Sequence, residues 1–279
     1  MRSDWRRPRT FKGLEEGERR IKLTVSYDGS RYHGWQSQDG AVSVQSTIES
    51  CLSFLGEDTR ILGSGRTDSG VHALGQVCHF DTRSSIPAGK FAIILNTRLP
   101  KDIRIMRSEE ADGSFHARFT TMSREYWYLI KERADMLPFD DRRYMPVSSF
   151  PDAGVLNGYA KAIFGTHDFT AFASSRDESP SKFRDIYLSE WDWMEDAYSY
   201  PVLRYRVAGN AFMYHQVRSM VGTMLSLARD GKSADEMKSI LDSKDRSRAL
   251  STAIPDGLYL ARISYDEAEY QWFEDEYGR

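Results

Sequence analysis

The alternation of strand and helix patterns, run through twice, constrains this chain more than any other feature. "IKLTVSY" (21–27) alternates apolar with polar residues, the period of a half-buried strand. "DGS" (28–30) is turn chemistry. In "VSVQSTIESCLSFLG" (42–56), Val44, Ile48, Cys51, Leu52 and Leu55 share one helical face, and Gly56 stops the helix. Strands over 75–82 and 102–108 flank a short helix that follows Pro87 and runs to about Asn96. The rhythm then returns with an aromatic strand over 124–131, a helix over 153–165, and strands over 184–193 and 202–209. A long helix (212–231), a helix opening at Ser233 and a closing strand (257–265) complete it. Met213, Val217, Met220, Val221, Met224 and Leu225 recur at helical spacing in the long helix and read as core filling. Ser233 and Glu236 stand at capping-box spacing. Each half follows a split βαβ order, so the expected class is α+β: two related ferredoxin-like lobes with antiparallel sheets flanked by helices. Residues 109–122, which include "SEEADGS", form the natural boundary. The expected organisation is a basic, flexible N-terminal tail (1–19), one lobe over 20–112, a second over 113–265, and an acidic tail (266–279).

Two lobes also agree with a length of 279 residues, at roughly 150 residues per domain. No apolar run approaches the ~18 residues of a membrane span. The segment "MRSDWRRPRTFKGLEEGERR" lacks the apolar core of a secretory signal. With two cysteines, Cys51 and Cys78, and no sign of secretion, the expected setting is the cytoplasm, with both thiols reduced. Net charge is −3, which taken alone argues against a nucleic-acid partner. Its distribution softens that: residues 1–20 carry seven Arg or Lys against four acids, and residues 265–279 six acids against one Arg. What remains is nearly neutral and can still hold a basic cleft, because counterion release depends on local phosphate contacts.

The sequence offers no metal or nucleotide signature. None of the six histidines pairs with another at i, i+4, and there is no Cys-x-x-Cys, so no zinc site is expected. "GSGRTDSG" (63–70) fits neither the dinucleotide fingerprint nor the Walker loop, and no G-x-S-x-G elbow appears.

That segment nonetheless holds one carboxylate, Asp68, among three glycines. Arg66 lies two residues before it and, in an extended segment, on the same side, where its charge favours the ionised acid. Two readings fit. An exposed, ionised carboxylate can serve as nucleophile or base, with glycines admitting a bulky substrate. An Asp-Ser-Gly turn can instead use the acid to bond its own backbone. In "YWY" (126–128), Tyr126 and Tyr128 share one strand face, so one can stack on a base or both can fill core.

"GRTDSGVHALGQVCHF" resembles the active-site segment of the TruA family of tRNA pseudouridine synthases. "YDGSRYHGWQSQ" (27–38), "SVQSTIESCL", "FHARF" (115–119) with "REYWY", and "NAFMYHQVRSMVG" (210–222) resemble further family segments in the expected order. The resemblance spans about residues 20–265. It implies the pseudouridine synthase fold with a central RNA-binding cleft. It also implies isomerisation of uridine in the anticodon stem-loop of tRNA (family positions 38–40), with no cofactor and as a homodimer. The family's essential aspartate falls on Asp68. Its arginine for holding the flipped nucleotide falls on Arg66, its uracil-contacting tyrosine on Tyr126, and the arginine that pairs with the aspartate on Arg218. His33 and Trp35 fall in an RNA-gathering loop, and His116 and Arg118 beside the cleft. A non-catalytic tRNA-binding module and an Asp-nucleophile hydrolase are the competing readings.

Overall fold

The computed structural model describes residues 11–56, 58–266 and 268. Among these the chain divides into two compact units, residues 11–121 with 259–265, and residues 122–258. The expected boundary stretch, 109–122, contains this division, which falls beyond the lobe limit set at 112. The polar stretch beyond it stays with the first unit because Arg20, buried in that unit, bonds the carbonyls of Gly113 and Phe115 at 3.1 and 2.5 Å. Asp81 closes the other side of the same guanidinium through two bonds of 2.7 Å.

The first unit runs β1 (Arg19–Tyr27), α1 (Val44–Leu52), β2 (Leu62–Gly63), β3 (His72–Thr82), α2 (Lys90–Asn96) and β4 (Ile103–Ala111). In the sheet the order is β4-β1-β3-β2, every neighbouring pair antiparallel. This is the expected split βαβ arrangement, since β3 lies between β1 and β2. Strand alternation sends Ile21, Leu23 and Val25 fully into the core. Val44, Ile48 and Leu52 of α1 and Phe91 and Leu95 of α2 complete it. β3 is buried on both faces, from Val77 through Phe80, so Cys78 and His79 point opposite ways and both lie inside. Helix α1 starts in a capping box of Ser43 and Ser46. A serine in place of the usual Glu or Gln at the third position hides that box from sequence.

The second unit contains β5 (Ser123–Glu132), β6 (Met145–Val147), α3 (Ala153–Ala162), β7 (Gly165–Asp168), β8 (Phe183–Glu195), β9 (Pro201–Gly209), α4 (Gln216–Arg229) and α5 (Ala234–Ser243). Strand β9 lies between β5 and β8, antiparallel to both, so the split βαβ order recurs. β7 continues the sheet beyond β8, and β6 adds to β5 in parallel. On α4, Val217, Met220, Val221 and Met224 are buried as expected, while Leu225 is only half-buried. Ser233 is the N-cap of α5 but makes no side-chain capping bond. The box read from sequence does not close, because Glu236 turns to Arg248 at 3.1 Å instead. Lys131 of β5 is fully buried between Asp140 and Asp196, at 2.7 and 2.5 Å, with the rings of Tyr144 and Tyr200 beside it.

The last strand, β10 (Leu258–Ser264), pairs in parallel with β3, Tyr259 opposite His72 and Leu260 opposite Ala73. Residues 259–265 therefore complete the first unit rather than the second. Residues 1–10 of the expected basic tail, and all of the acidic tail except Asp266 and Ala268, lie outside the described residues. Residues 11–18 pack on the first unit: the Phe11 ring sits 4.8 Å from that of His116, and Glu15 pairs with Arg83 at 2.8 Å. Among the described residues no helix is long and apolar enough to cross a membrane.

Candidate active site

The segment 64–71 connects β2 to β3 and presents Asp68 half-buried, between exposed Arg66 and Ser69. Sequence suggested a flexible glycine loop. The structure shows a pinned one. Gly65 O accepts from Gln76 Nε2 at 2.9 Å, Thr67 O from the Trp35 N–H at 3.1 Å, and Asp68 O from the Val71 N–H at 3.2 Å. The Gly70 N–H donates to Tyr32 O at 3.3 Å. Thr67, buried, shares a 2.8 Å hydroxyl–hydroxyl bond with Tyr27 at the end of β1. Carbonyls at 65, 67 and 68 are thereby fixed, and Asp68 is presented from a backbone held at three points.

The clasp partner is the turn after β1. Asp28 caps a short turn of 3₁₀ helix, with its Oδ1 accepting from the Ser30 N–H and hydroxyl. Two glycines let this turn lie backbone to backbone on the Asp68 loop. A Cβ on Gly29 would overlap the Val71 carbonyl, and one on Gly34 would overlap that of Thr67. Gly34 also has φ +83°, where a side chain is strained. Tyr32 is buried with its hydroxyl donating to Asp102 at 2.7 Å; burial, then that carboxylate, push its phenol well above the usual range. It stays a neutral donor that locks the turn.

Several sequence candidates change place. Arg66 is exposed. The i, i+2 argument assumed an extended strand, whereas 64–71 is an irregular loop. Trp35 is 3% exposed, tilted against Tyr27 at 6.0 Å and packed on Gly63, so its indole shapes the loop rather than gathering RNA. His33, beside it, is exposed, and its N–H bonds Val42 O at 2.9 Å. His116 is buried: it stacks on Phe119 at 4.2 Å, and its Nδ1 accepts from the Arg118 and Phe119 N–H groups. Burial and the nearby Arg20 charge lower its pKa. Its position makes it a fold residue, while the neighbouring Arg118 is exposed. Tyr126 and Arg218 belong to the second unit. Tyr126 meets Phe212 edge-on at 5.2 Å, just ahead of α4, and Arg218 on α4 donates to Ala253 O at 2.8 Å. Both tyrosines are buried, Tyr126 at 8% exposure and Tyr128 fully, and Tyr128 donates to Ile254 O at 2.9 Å.

Sequence reasoning missed the side chains that hold the Asp68 loop: Tyr27, Thr67 and Gln76. Only Tyr27 carried a signal, as an aromatic with a polar tip at the end of an alternating strand.

The first unit thus presents Asp68 from a hydrogen-bonded loop of a split βαβ sheet, and the second unit repeats that α+β order. The model of a family described as tRNA pseudouridine synthase matches residues 23–120 and 159–266. Proteins named tRNA pseudouridine synthase A are similar along most of the chain. That of Bacillus pumilus is 42% identical over 253 residues, covering 88% of this chain and 99% of its own. That of Bacillus subtilis is 41% identical over 250 residues, covering 88% and 99%. That of Acetivibrio thermocellus is 39% identical over 251 residues, covering 88% and 100%. The chain belongs to the tRNA pseudouridine synthase family.

Proposed function

We propose that this enzyme isomerises uridine to pseudouridine in the anticodon stem-loop of tRNA, with Asp68 as its catalytic carboxylate. The observation that carries the reading is a half-buried acid on a loop whose flanking carbonyls are hydrogen-bonded on both sides. Catalysis of this kind needs a fixed acid, because misplacement by an ångström is costly in rate. The reaction breaks the C1′–N1 bond, turns the uracil and joins C1′ to C5. The C5 proton is lost and N1 gains one, so atoms and electrons balance within the nucleoside. Asp68 can add to the uracil or the ribose, or remove the ribose 2′ proton. A base inside a stem must first leave the stack. Exposed Arg66 is proposed to hold the flipped nucleotide, with His33 and Arg118 meeting RNA. Tyr126 is proposed to stack on the uracil and Arg218 to assist the acid. A neutral phenol of pKa about 10 is a poor base, which argues for stacking over proton removal. A homodimer that shares one tRNA is part of the same proposal, and light scattering with and without tRNA tests it.

The decisive experiment maps pseudouridine in tRNA by chemical labelling and primer extension, after treatment with the enzyme and with Asp68→Asn. The variant is expected to lose at least about 10³-fold in rate, the scale of removing a catalytic group, while still binding tRNA. Normal modification by Asp68→Asn would refute the assignment.

A further inference from the structure

We propose that Tyr27 is a positioning residue for Asp68, acting through the hydroxyl of Thr67. This rests on Asp68 being the catalytic acid. Tyr27 closes β1 just after an irregularity in its pairing, where the register with β3 shifts between Val25 and Tyr27. The shift brings its ring, 4% exposed, beneath the Asp68 loop. Its hydroxyl lies 2.8 Å from Thr67 Oγ1, with both residues buried. In so dry a setting the bond fixes one side-chain direction at residue 67, because an unpaired hydroxyl there is expensive. Residues 67 and 68 share a peptide, so a Thr67 held at both its hydroxyl and its carbonyl limits the directions open to the half-buried Asp68 side chain. The Trp35 N–H on the Thr67 carbonyl removes the remaining freedom of the peptide that joins residues 67 and 68. The phenol never touches the substrate in this scheme. Its effect is on the direction of the neighbouring carboxylate, so it should appear in turnover and not in tRNA affinity.

The two hydroxyls act as one unit, which makes the idea separable from general stability. Tyr27→Phe and Thr67→Val each remove one hydroxyl with little change of shape, and Thr67→Ser keeps it. Single-turnover kinetics on a tRNA transcript with 5-tritiated uridine, together with tRNA binding and thermal melting, provide the readouts. We expect Tyr27→Phe and Thr67→Val each to lower kcat by about tenfold or more with KM unchanged, as for an interaction expressed only in the transition state. The double variant should be no worse than either single, because the second change removes nothing further. Thr67→Ser should retain near-normal kcat. Wild-type kcat in both single variants, a loss carried by KM, or a loss that follows melting temperature across the set overturns the proposal. So does equal damage from Thr67→Ser and Thr67→Val. Asp68→Asn separates the two levels. Its inactivity alongside a fully active Tyr27→Phe removes the positioning role alone, whereas activity in Asp68→Asn removes both.

Discussion

His79 makes the first unit sensitive to acid by an amount that can be worked out. It is 1% exposed, and its Nδ1 accepts the Ala117 N–H at 3.2 Å. Burial first, then the positive charge of Arg20 and the ring of His116, push its pKa down to about 3, against a partial counter-pull from Asp81. In the unfolded chain an imidazole titrates near 6.5. As pH falls below 6.5 the unfolded state takes up a proton that the folded state refuses. Stability is thus intact above that pH and lost progressively on the way down to about 3. Between pH 7 and pH 5 the loss from this residue comes to ~2 kcal/mol. His79→Asn places an amide oxygen where Nδ1 stood and cannot titrate. Urea melts at pH 7 and pH 5 should show wild-type stability falling by ~2 kcal/mol more than that of the variant. Equal falls would refute the reasoning, because they would mean that His79 protonates in the folded protein as readily as in the unfolded one.

Two other perturbations have a stated size. Gly34→Ala forces a side chain into a left-handed backbone and against the Thr67 carbonyl. We expect a stability loss of about 1–3 kcal/mol with turnover reduced more than tRNA binding, seen by melts and single-turnover kinetics. Lys131→Met leaves the carboxylates of Asp140 and Asp196 without their buried cation. A loss of about 3–5 kcal/mol should follow in denaturant melts of the second unit. Replacing both acids by Asn in the same background should recover part of it.

How far the sequence reached follows from which interactions are local. Strands with period two and helices with period 3.6 write their buried faces in the chain, so β1, α1 and α4 could be read from Ile21, Ile48 and Met220. Motif order then pointed to Asp68. What lay hidden was contact between segments far apart. The resemblance placed Trp35 in an RNA-gathering loop, and nothing near it in sequence announces that Gly63 and Thr67, some thirty residues along the chain, pack on it. Nothing near His116 in sequence announces Phe11 or His79, the rings that enclose it. The bond of Thr67 to the Tyr27 hydroxyl joins residues forty positions apart. Short pieces such as β2 and β7 carry too few residues for any period to show, and their pairing with longer strands alone defines them.

The place of β10 bears on how the enzyme is made. The strand that lies alongside His72 and Ala73, next to the Asp68 loop, is synthesised only after the whole of the second unit. His72 stacks on Tyr259 at 4.6 Å, and the Tyr265 hydroxyl donates to Ala117 O at 2.8 Å, so the first unit is closed by residues that emerge from the ribosome after the second unit. A domain whose first half folds alone could act before its second half exists. Here a chain stalled within the second unit lacks the strand that pairs with β3 beside the Asp68 loop, so the first unit is completed only after the second has been made.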